Sequence, residues 1–465
     1  MKDRSYQLRP WLRFSVCTIF AFSLFDCFFI ALDHASFIYW KLFLLRLLHI
    51  ALLLYPFIFY RQNYVWFHPL VFNTLISAIR LFFLYLLQAI SGEGLSLLIF
   101  ENDALPFLNE EQIAALMAEE QLLLAISLFS YYLAYFYFPP LSKAKFLTIR
   151  KSFDLKAVLL VLLSLLVFTI FIGLSGGIGA HIASWQGGRK SALTGIGYLA
   201  MLTYAAAVSC LIWWSLDNRA GKKVIYWLSL IVSLLLMLLL GGSRSYIINI
   251  VVIGFLLWIY NRQRFSKFGF ALTLTLIMFF VGCWGAARTQ LQKQAAFDWD
   301  KVLSAQSMLV ETQKELILRS SVRKAVYPIL HYVPSQDGYL YGRSYLAAFL
   351  CWIPRQFWPE KFGLIDGLVG ETFFDVNVGI PPGPIGEAYW NFGYLGVVLA
   401  FALYGCFHKS VYSLFQTSDR STLIFLLYML LLFNVYPITS SIISALLLFV
   451  PGLLICWLFT LVQRR

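Results

Sequence analysis

Basic side chains stand between the apolar runs of this chain, where several of them could hold one anion. Arg244 ends the sequence Gly241-Gly-Ser-Arg244, in which the glycines can end one helix and the serine can cap the next. Arg244 would then lie at a helix N-terminus, where free N–H groups favour an anion and a guanidinium adds a fork for phosphate oxygens. The cations expected beside it are Arg189, Arg288, Arg343, Arg355 and Lys361. Such an array suits a diphosphate on a lipid tail; the alternative for Arg189 and Arg244 is contact with lipid head groups.

A carboxylate beside these cations could take the proton from an attacking sugar hydroxyl. Glu387 is the preferred candidate, and it follows Pro384-Ile-Gly386 in the first turn of a predicted helix. In that position a carboxylate also stabilises the helix dipole by about 0.3–1 kcal/mol, which is the alternative reason for its presence. Asp375 and Asp337 are the reserve bases, and Asp375 is also an expected substrate contact. Trp358 and Tyr389 could stack on sugar faces, or could belong to the aromatic belt of a membrane interface.

These residues must be positioned by membrane-spanning helices, because the chain is apolar almost throughout. Of its 465 residues 60% are hydrophobic, and the mean hydropathy is +0.75. A spanning helix needs roughly 20 mostly apolar residues, and about twelve stretches qualify. Their limits are 14–32, 41–60, 69–90, 121–138, 156–174, 194–214, 224–240, 245–260, 267–286, 389–407, 421–437 and 441–461. The sequence predicts an all-α, polytopic transmembrane bundle with a large loop subdomain before the last three spans.

The loops between these stretches alternate in charge. One set is rich in Lys and Arg, at positions 2, 4, 9, 13, 61, 143, 145, 150, 151, 219, 222, 223, 262, 264, 267, 409, 420, 464 and 465. The positive-inside rule makes that set cytoplasmic, together with both chain termini. The other side holds two long segments, 91–120 and 287–388. We therefore expect a multi-pass protein of a bacterial inner membrane, with its active site facing the periplasm.

Three parts follow from this order. Residues 1–286 hold nine spans and the short acidic periplasmic segment 91–120, residues 287–388 form the periplasmic subdomain, and residues 389–465 hold three spans. The acidic segment contains Asn109-Glu-Glu-Gln112, which predicts a helix start with a capping side chain. We expect that helix to lie on the membrane surface; a docking surface for a partner's basic loop is the alternative.

Composition argues against several other classes of protein. The net charge of +13 would suggest nucleic acid in a soluble chain, but the excess of basic residues lies in the loops predicted to be cytoplasmic. Cys351 is the single cysteine of the external loops, so a loop disulfide is not expected. No C-x-x-C or H-x-x-x-H spacing indicates a metal site. We expect no nucleic-acid partner, no metal and no cofactor.

Three motifs occur in a fixed order along the chain. They are Gly241-Gly-Ser-Arg244 opening a span, Ile353-Pro-Arg-Gln-Phe-Trp-Pro359 in the large loop, and Pro381-Pro-Gly-Pro-Ile-Gly-Glu-Ala-Tyr-Trp-Asn-Phe-Gly393 opening the next span. Together with the number of spans and the large late loop, they make the chain resemble the oligosaccharide repeat-unit polymerases (Wzy-type O-antigen polymerases). By position, Arg244 matches that family's Gly-Ser-Arg turn, Arg355 its Pro/Trp loop and Glu387 its Gly-Glu turn.

The resemblance implies a metal-independent glycosyltransferase of the GT-C type. It would pass a growing chain from undecaprenyl diphosphate to the terminal sugar of a new lipid-linked repeat unit, making O-antigen of lipopolysaccharide, capsule or a related polysaccharide. Its partners would be the lipid-linked saccharides, the bilayer and, where one binds, a chain-length-regulating co-polymerase. One alternative is an O-antigen ligase, for which His181 or His331 could serve as the external histidine. Another is a polysaccharide or lipid flippase, which would need a charged path through both faces.

Overall fold

The described part of the chain is predominantly helical. The computed structural model describes residues 10–58, 65–91, 104–140, 154–184, 197–217, 219–241, 244–262, 322–350, 363–376, 379–418 and 420–434, with shorter pieces at 275, 279–280, 282–287, 290, 304, 353 and 357–358. The helices are α1 Pro10–His34, α2 Phe37–Ile58, α3 Pro69–Ser91, α4 Glu110–Tyr137, α5 Asp154–Leu174, α6 Ile178–Ser184, α7 Gly197–Leu216, α8 Val224–Gly241, α9 Arg244–Arg262, α10 Val322–Tyr332, α11 Arg343–Leu350, α12 Ile365–Phe374, α13 Gly383–Thr417 and α14 Thr422–Asn434. The predicted all-α class is confirmed for this part of the chain.

Within the described residues, five helices are long and apolar enough to cross a membrane. They lie at Leu12–His34, Phe37–Phe57, Glu110–Tyr137, Asp154–Leu174 and Gly383–Thr417. Shorter apolar helices accompany them at Pro69–Ile79, Leu202–Leu216, Val224–Leu240, Ile247–Arg262 and Thr422–Leu432. Each overlaps a stretch predicted from the sequence, whereas 441–461 and most of 267–286 lie outside the described residues. These helices indicate a membrane protein.

Contacts between distant residues divide the helix ends into two sets. At one end, which we call the Glu111 end, Ser36 Oγ donates to Glu111 Oε1 at 3.2 Å. At the other, the Arg420 end, Tyr260 OH donates to the Arg420 carbonyl oxygen at 2.8 Å. Helix α4 begins at the Glu111 end, whereas α9 and α13 finish at the Arg420 end. The N-termini of α4, α9 and α13 therefore all lie at the Glu111 end. The grouping agrees with the charge alternation of the loops; which end faces the periplasm stays a prediction.

Helix α13 packs closely on α4, and the two run parallel. Near the Glu111 end, Tyr394 OH donates to Glu119 Oε1 at 2.8 Å. Farther along both helices, Gly405 lies against the backbone of Tyr131, where a Cβ would overlap the carbonyl oxygen. Residue 405 must therefore be small for the two backbones to approach this closely.

The acidic start of α4 is not the surface helix that the sequence suggested. The helix does begin with the predicted cap, since Asn109 Oδ1 accepts from the Gln112 N–H at 2.8 Å and Gln112 Oε1 accepts from the Asn109 N–H at 3.0 Å. However, it continues without interruption to Tyr137. Glu120 is only 7% exposed and accepts from Tyr327 OH of α10 at 3.0 Å. The expectation was wrong because α10 and α13 cover this part of α4.

Helix α13 has a kink that separates a short first arm from a long second part. Phe392 and Gly393 have non-helical backbone angles, and Gly393 has φ +61°. A Cβ at 393 would come within 2.9 Å of Tyr339 OH, so both the backbone angle and the close approach require glycine. At about 1.5 Å per residue, the part beyond the kink is still long enough to cross a bilayer. The arm Gly383–Asn391, which begins before the predicted limit at 389, carries Glu387.

Candidate active site

The arm of α13 that carries Glu387 is packed against α10 through a glycine. A Cβ at Gly386 would lie 3.2 Å from Val326 Cγ2 and 3.4 Å from Ile329 Cδ1, tighter than ordinary packing. The next residue, Glu387, is only 1% exposed. It also lies one turn inside the helix, which begins at Gly383. Dipole stabilisation falls off within the first turn, so the dipole explanation for Glu387 is weakened.

A hydrogen-bonded chain of side chains fixes one oxygen of Glu387. Ser344 Oγ, on α11, donates to Glu387 Oε1 at 2.9 Å. Asn391 Nδ2 donates in turn to Ser344 Oγ at 2.7 Å and to the Glu387 carbonyl oxygen at 2.7 Å. Asn391 Oδ1 accepts from the Gly342 N–H at 2.9 Å. Every polar group of the Asn391 amide is therefore used, and the Ser344 hydroxyl can point its proton in one direction only.

The segment before α11 also satisfies the carbonyl groups that the kink releases. The Leu340 N–H donates to the Trp390 carbonyl oxygen at 2.9 Å, and the Tyr341 N–H donates to that of Asn391 at 3.1 Å. A kink leaves such carbonyls without intrahelical partners, so backbone donors from another segment stabilise it. Residues 340–344 therefore stabilise the kink and also place Ser344 within hydrogen-bonding distance of Glu387.

The second oxygen of Glu387 has no hydrogen-bond partner among the described residues. Nor has Trp390 Nε1, which is buried one turn farther along the same arm. An acceptor and a donor are therefore both unsatisfied in one small region, and such groups usually bind water or a ligand. Tyr345 lies close by: burial, and then the charge of Glu387, raise the pKa of the Tyr345 hydroxyl above its usual range. Tyr345 is thus a neutral phenol beside the carboxylate.

Four of the predicted substrate-binding residues fall within the described part of the chain. Arg343 is exposed and begins α11, directly before Ser344, so a predicted cation stands next to the partner of Glu387. Tyr389 is 5% exposed on the α13 arm, with its ring 5.6 Å from that of Tyr394. Asp375 is exposed at the left-handed residue that ends α12, and Trp358 is 40% exposed. No hydrogen bond described in the structure joins these last two to Glu387.

The remaining predicted cations are largely outside the described residues. Arg189, Arg288, Arg355 and Lys361 all lie there. Helix α8 ends at Gly241 and helix α9 begins at Arg244, as the Gly-Gly-Ser-Arg sequence predicts. The helix N-terminus is therefore in place, although the position of the Arg244 side chain is outside the description.

The two histidines considered for a ligase have different surroundings. His181 is 3% exposed; its Nε2 lies 2.9 Å from the Leu239 carbonyl oxygen, and its ring contacts Phe171 edge-on. It therefore ties α6 to the end of α8. His331 is half-buried on α10, with its ring 5.8 Å from that of Phe107. Among the described residues, no three His, Cys, Asp or Glu side chains are arranged to hold a metal ion.

Sequence reasoning did not find Ser344, Asn391 or Glu119. Asn391 follows Glu387 by one helical turn, and this spacing could have indicated a pair on one helix face. Nothing in the sequence points to Ser344, which lies 43 residues before its partner. No protein-family model, curated protein or solved structure matches the chain.

Proposed function

We propose that the protein is a membrane glycosyltransferase that polymerises undecaprenyl-diphosphate-linked oligosaccharide repeat units at the periplasmic face. In this proposal about twelve spans carry the periplasmic loop subdomain, both termini are cytoplasmic, and Glu387 is the general base. The observation that supports it best is the burial and hydrogen bonding of that carboxylate. It is buried at the Glu111 end, one oxygen is fixed by Ser344, and the other is left without a partner among the described residues.

This arrangement suits a base that must accept one proton in one direction. The Ser344 hydroxyl holds Oε1 and so sets the plane of the carboxylate, while Oε2 can receive the proton of a substrate hydroxyl. A carboxylate with only a structural role would be expected to use both oxygens when it is buried this deeply. The orientation is the feature that favours catalysis.

The proposed reaction forms and breaks one glycosidic bond. The terminal sugar hydroxyl of the incoming unit attacks the anomeric carbon of the growing chain while its proton passes to Glu387 Oε2. The bond from that carbon to the diphosphate oxygen breaks, and undecaprenyl diphosphate leaves with the electron pair. Arg244 and Arg355 are proposed to stabilise the charge that develops on the diphosphate, with Arg189, Arg288, Arg343 and Lys361 binding the same group.

A ligase remains the nearest alternative, and His181 does not favour it. Its Nε2 is engaged with the Leu239 carbonyl oxygen and its ring is buried between helices, which is a packing role. A flippase would need charged groups along a path through both faces. The groups described around Glu387 are instead gathered at one end of the bundle.

The test is an extension assay with full-length protein in lipid nanodiscs, defined undecaprenyl-diphosphate-linked repeat units and no added metal. Wild-type protein should produce a ladder of polymer, and Glu387→Gln should reduce it by at least about a hundredfold, the loss typical of a general base. Glu110→Gln, which alters an exposed carboxylate at the same end, is the matched control and should extend normally. Normal extension by Glu387→Gln would remove it as the base.

Cells lacking the protein distinguish the three functions. Loss of a polymerase leaves single repeat units on the outer membrane, loss of a ligase leaves polymer that is not joined to lipid A, and loss of a flippase traps lipid-linked units inside. Wild-type chain lengths in the deletion strain would reject the polymerase proposal.

A further inference from the structure

A second group of polar residues surrounds the kink of α13, and the proposed reaction does not yet use it. Tyr394 OH donates to Glu119 Oε1 at 2.8 Å, joining α13 to the acidic start of α4. The ring of Tyr389 lies 5.6 Å from that of Tyr394, and the Tyr339 hydroxyl lies over Gly393, the residue directly before Tyr394, so three tyrosines lie near this hydrogen bond. We call Glu119, Tyr339, Tyr389 and Tyr394 the tyrosine cluster.

The tyrosine cluster is exposed on one side. Tyr394 is 41% exposed, and Tyr341, whose ring lies 6.1 Å from that of Tyr339, is 74% exposed. Glu119 itself is half-buried, and its described hydrogen bond uses Oε1. The Glu119 carboxylate therefore lies close to the exposed rings of Tyr394 and Tyr341. An aromatic belt at a membrane interface would not require a tyrosine hydroxyl to bond to an acid on a neighbouring helix.

The cluster and Glu387 are connected by the same short segment. Tyr339 OH packs over Gly393 on one side of the kink, and Ser344, five positions later, holds Glu387 on the other. Backbone bonds from Leu340 and Tyr341 to the arm fix the distance between the two ends of this segment. The fold would therefore hold a molecule bound at the cluster at a fixed position relative to the Glu387 carboxylate.

We infer that the tyrosine cluster is a saccharide-binding subsite that holds the hydroxyl-rich acceptor sugar next to Glu387. The inference rests on the proposed function and adds the group that binds the attacking unit. Glu119 would accept hydrogen bonds from sugar hydroxyls, because a carboxylate offers several lone pairs. Tyr341 and Tyr394 would lie against the apolar faces of the sugar rings, while their hydroxyl groups stay in water or on Glu119.

The experiment measures initial extension rates against the concentration of a defined lipid-linked acceptor unit, with full-length protein in nanodiscs. Glu119→Gln and Tyr341→Ala should each raise KM for the acceptor about tenfold while kcat stays within about twofold, since lost uniform binding changes KM alone. Tyr341→Phe keeps the ring and should restore most of the binding. Glu110→Gln and Tyr137→Phe, at an exposed acid and an exposed tyrosine outside the cluster, should leave both constants unchanged.

Two results would overturn the subsite. Unchanged KM in Glu119→Gln and Tyr341→Ala would show that the cluster only joins α4 to α13 or forms part of an interfacial belt. A fall in kcat with no change in KM would give it a structural role in the catalytic arm.

If wild-type protein extends no unit at all, the proposed function fails instead. The subsite is then tested directly by titrating the protein with the lipid-free oligosaccharide of the same unit and following tryptophan emission. Equal affinity in wild type and Glu119→Gln would reject it.

Discussion

Ser344 Oγ donates a hydrogen bond of 2.9 Å to Glu387 Oε1 across 43 residues of chain. The two residues lie on different helices, α11 and the arm of α13, and Asn391 connects them through a second bond to the same hydroxyl. Because Asn391 Oδ1 accepts from the Gly342 N–H, the direction of each bond in the chain is determined. The orientation of the Glu387 carboxylate is therefore set by tertiary contacts and not by its own helix alone.

Removing the Ser344 hydroxyl should slow the reaction without weakening substrate binding. A hydrogen bond to a charged group contributes about 1.5–3 kcal/mol, so Ser344→Ala should lower kcat by roughly tenfold or more. Since Ser344 acts through Glu387, KM should stay within about twofold. Initial rates of extension check this, with Ser344→Thr as the variant that keeps a hydroxyl and should recover activity. A loss of thermal stability with normal kcat in Ser344→Ala would mean that the bond is structural only.

Arg244 should be needed for polymer formation because it stands at the N-terminus of α9. A guanidinium at that position adds a charged fork to backbone N–H groups that already favour a phosphate. We expect Arg244→Ala to abolish extension and Arg244→Lys to restore only part of it, because an ammonium cannot form the same two parallel bonds. The assay is polymer length in cells and extension in nanodiscs.

The control for Arg244 lies on the same helix. Arg262 is the last residue of α9, at the Arg420 end, and it is exposed. Arg262→Ala removes an equal charge from the same element and should extend normally, with both variants present in the membrane at wild-type levels. Loss of activity in both variants would indicate a general effect of charge on insertion.

The sequence was informative where local chemistry decides the structure. The cap at Asn109 and the start of α9 at Arg244 depend on neighbouring residues, and both were predicted. Apolar runs likewise located the helices, since a length of about 20 apolar residues is a local property. Charge alternation then grouped the helix ends as the contacts do.

Features that depend on tertiary packing could not be read in this way. The burial of Glu120 requires α10 to lie over α4, although 207 residues separate Glu120 from Tyr327. The pairing of Ser344 with Glu387 and the meeting of Glu119 with Tyr394 are of the same kind. Gly393 was part of a recognised motif, but its role at a kink depends on Tyr339, which approaches from another segment.

The Glu111 end should face the periplasm. A cysteine at Glu111 should react with a membrane-impermeant maleimide in cells whose outer membrane is permeabilised. A cysteine at Lys222, in the turn between α7 and α8, should react only after the inner membrane is also opened. Both substitutions are made in a chain whose seven native cysteines are replaced by serine or alanine. The reverse pattern would place Glu387 in the cytoplasm and remove the periplasmic glycosyltransferase proposal.

The close approach of α4 and α13 should depend on Gly405. A Cβ at this position would overlap the Tyr131 carbonyl oxygen and lie 3.0 Å from Ala134 Cβ, so even Gly405→Ala must push the helices apart. Overpacking of this kind costs typically about 1–3 kcal/mol. It should lower the thermal unfolding midpoint of the purified protein by several degrees.

Gly173→Ala on α5 is the matched control, because no atom lies within 4 Å of the added methyl group. It should leave the midpoint unchanged or raise it slightly, since alanine has the higher helix propensity. Equal midpoints for the two variants would contradict the packing of α4 on α13, and with it the placement of Glu119 beside Tyr394.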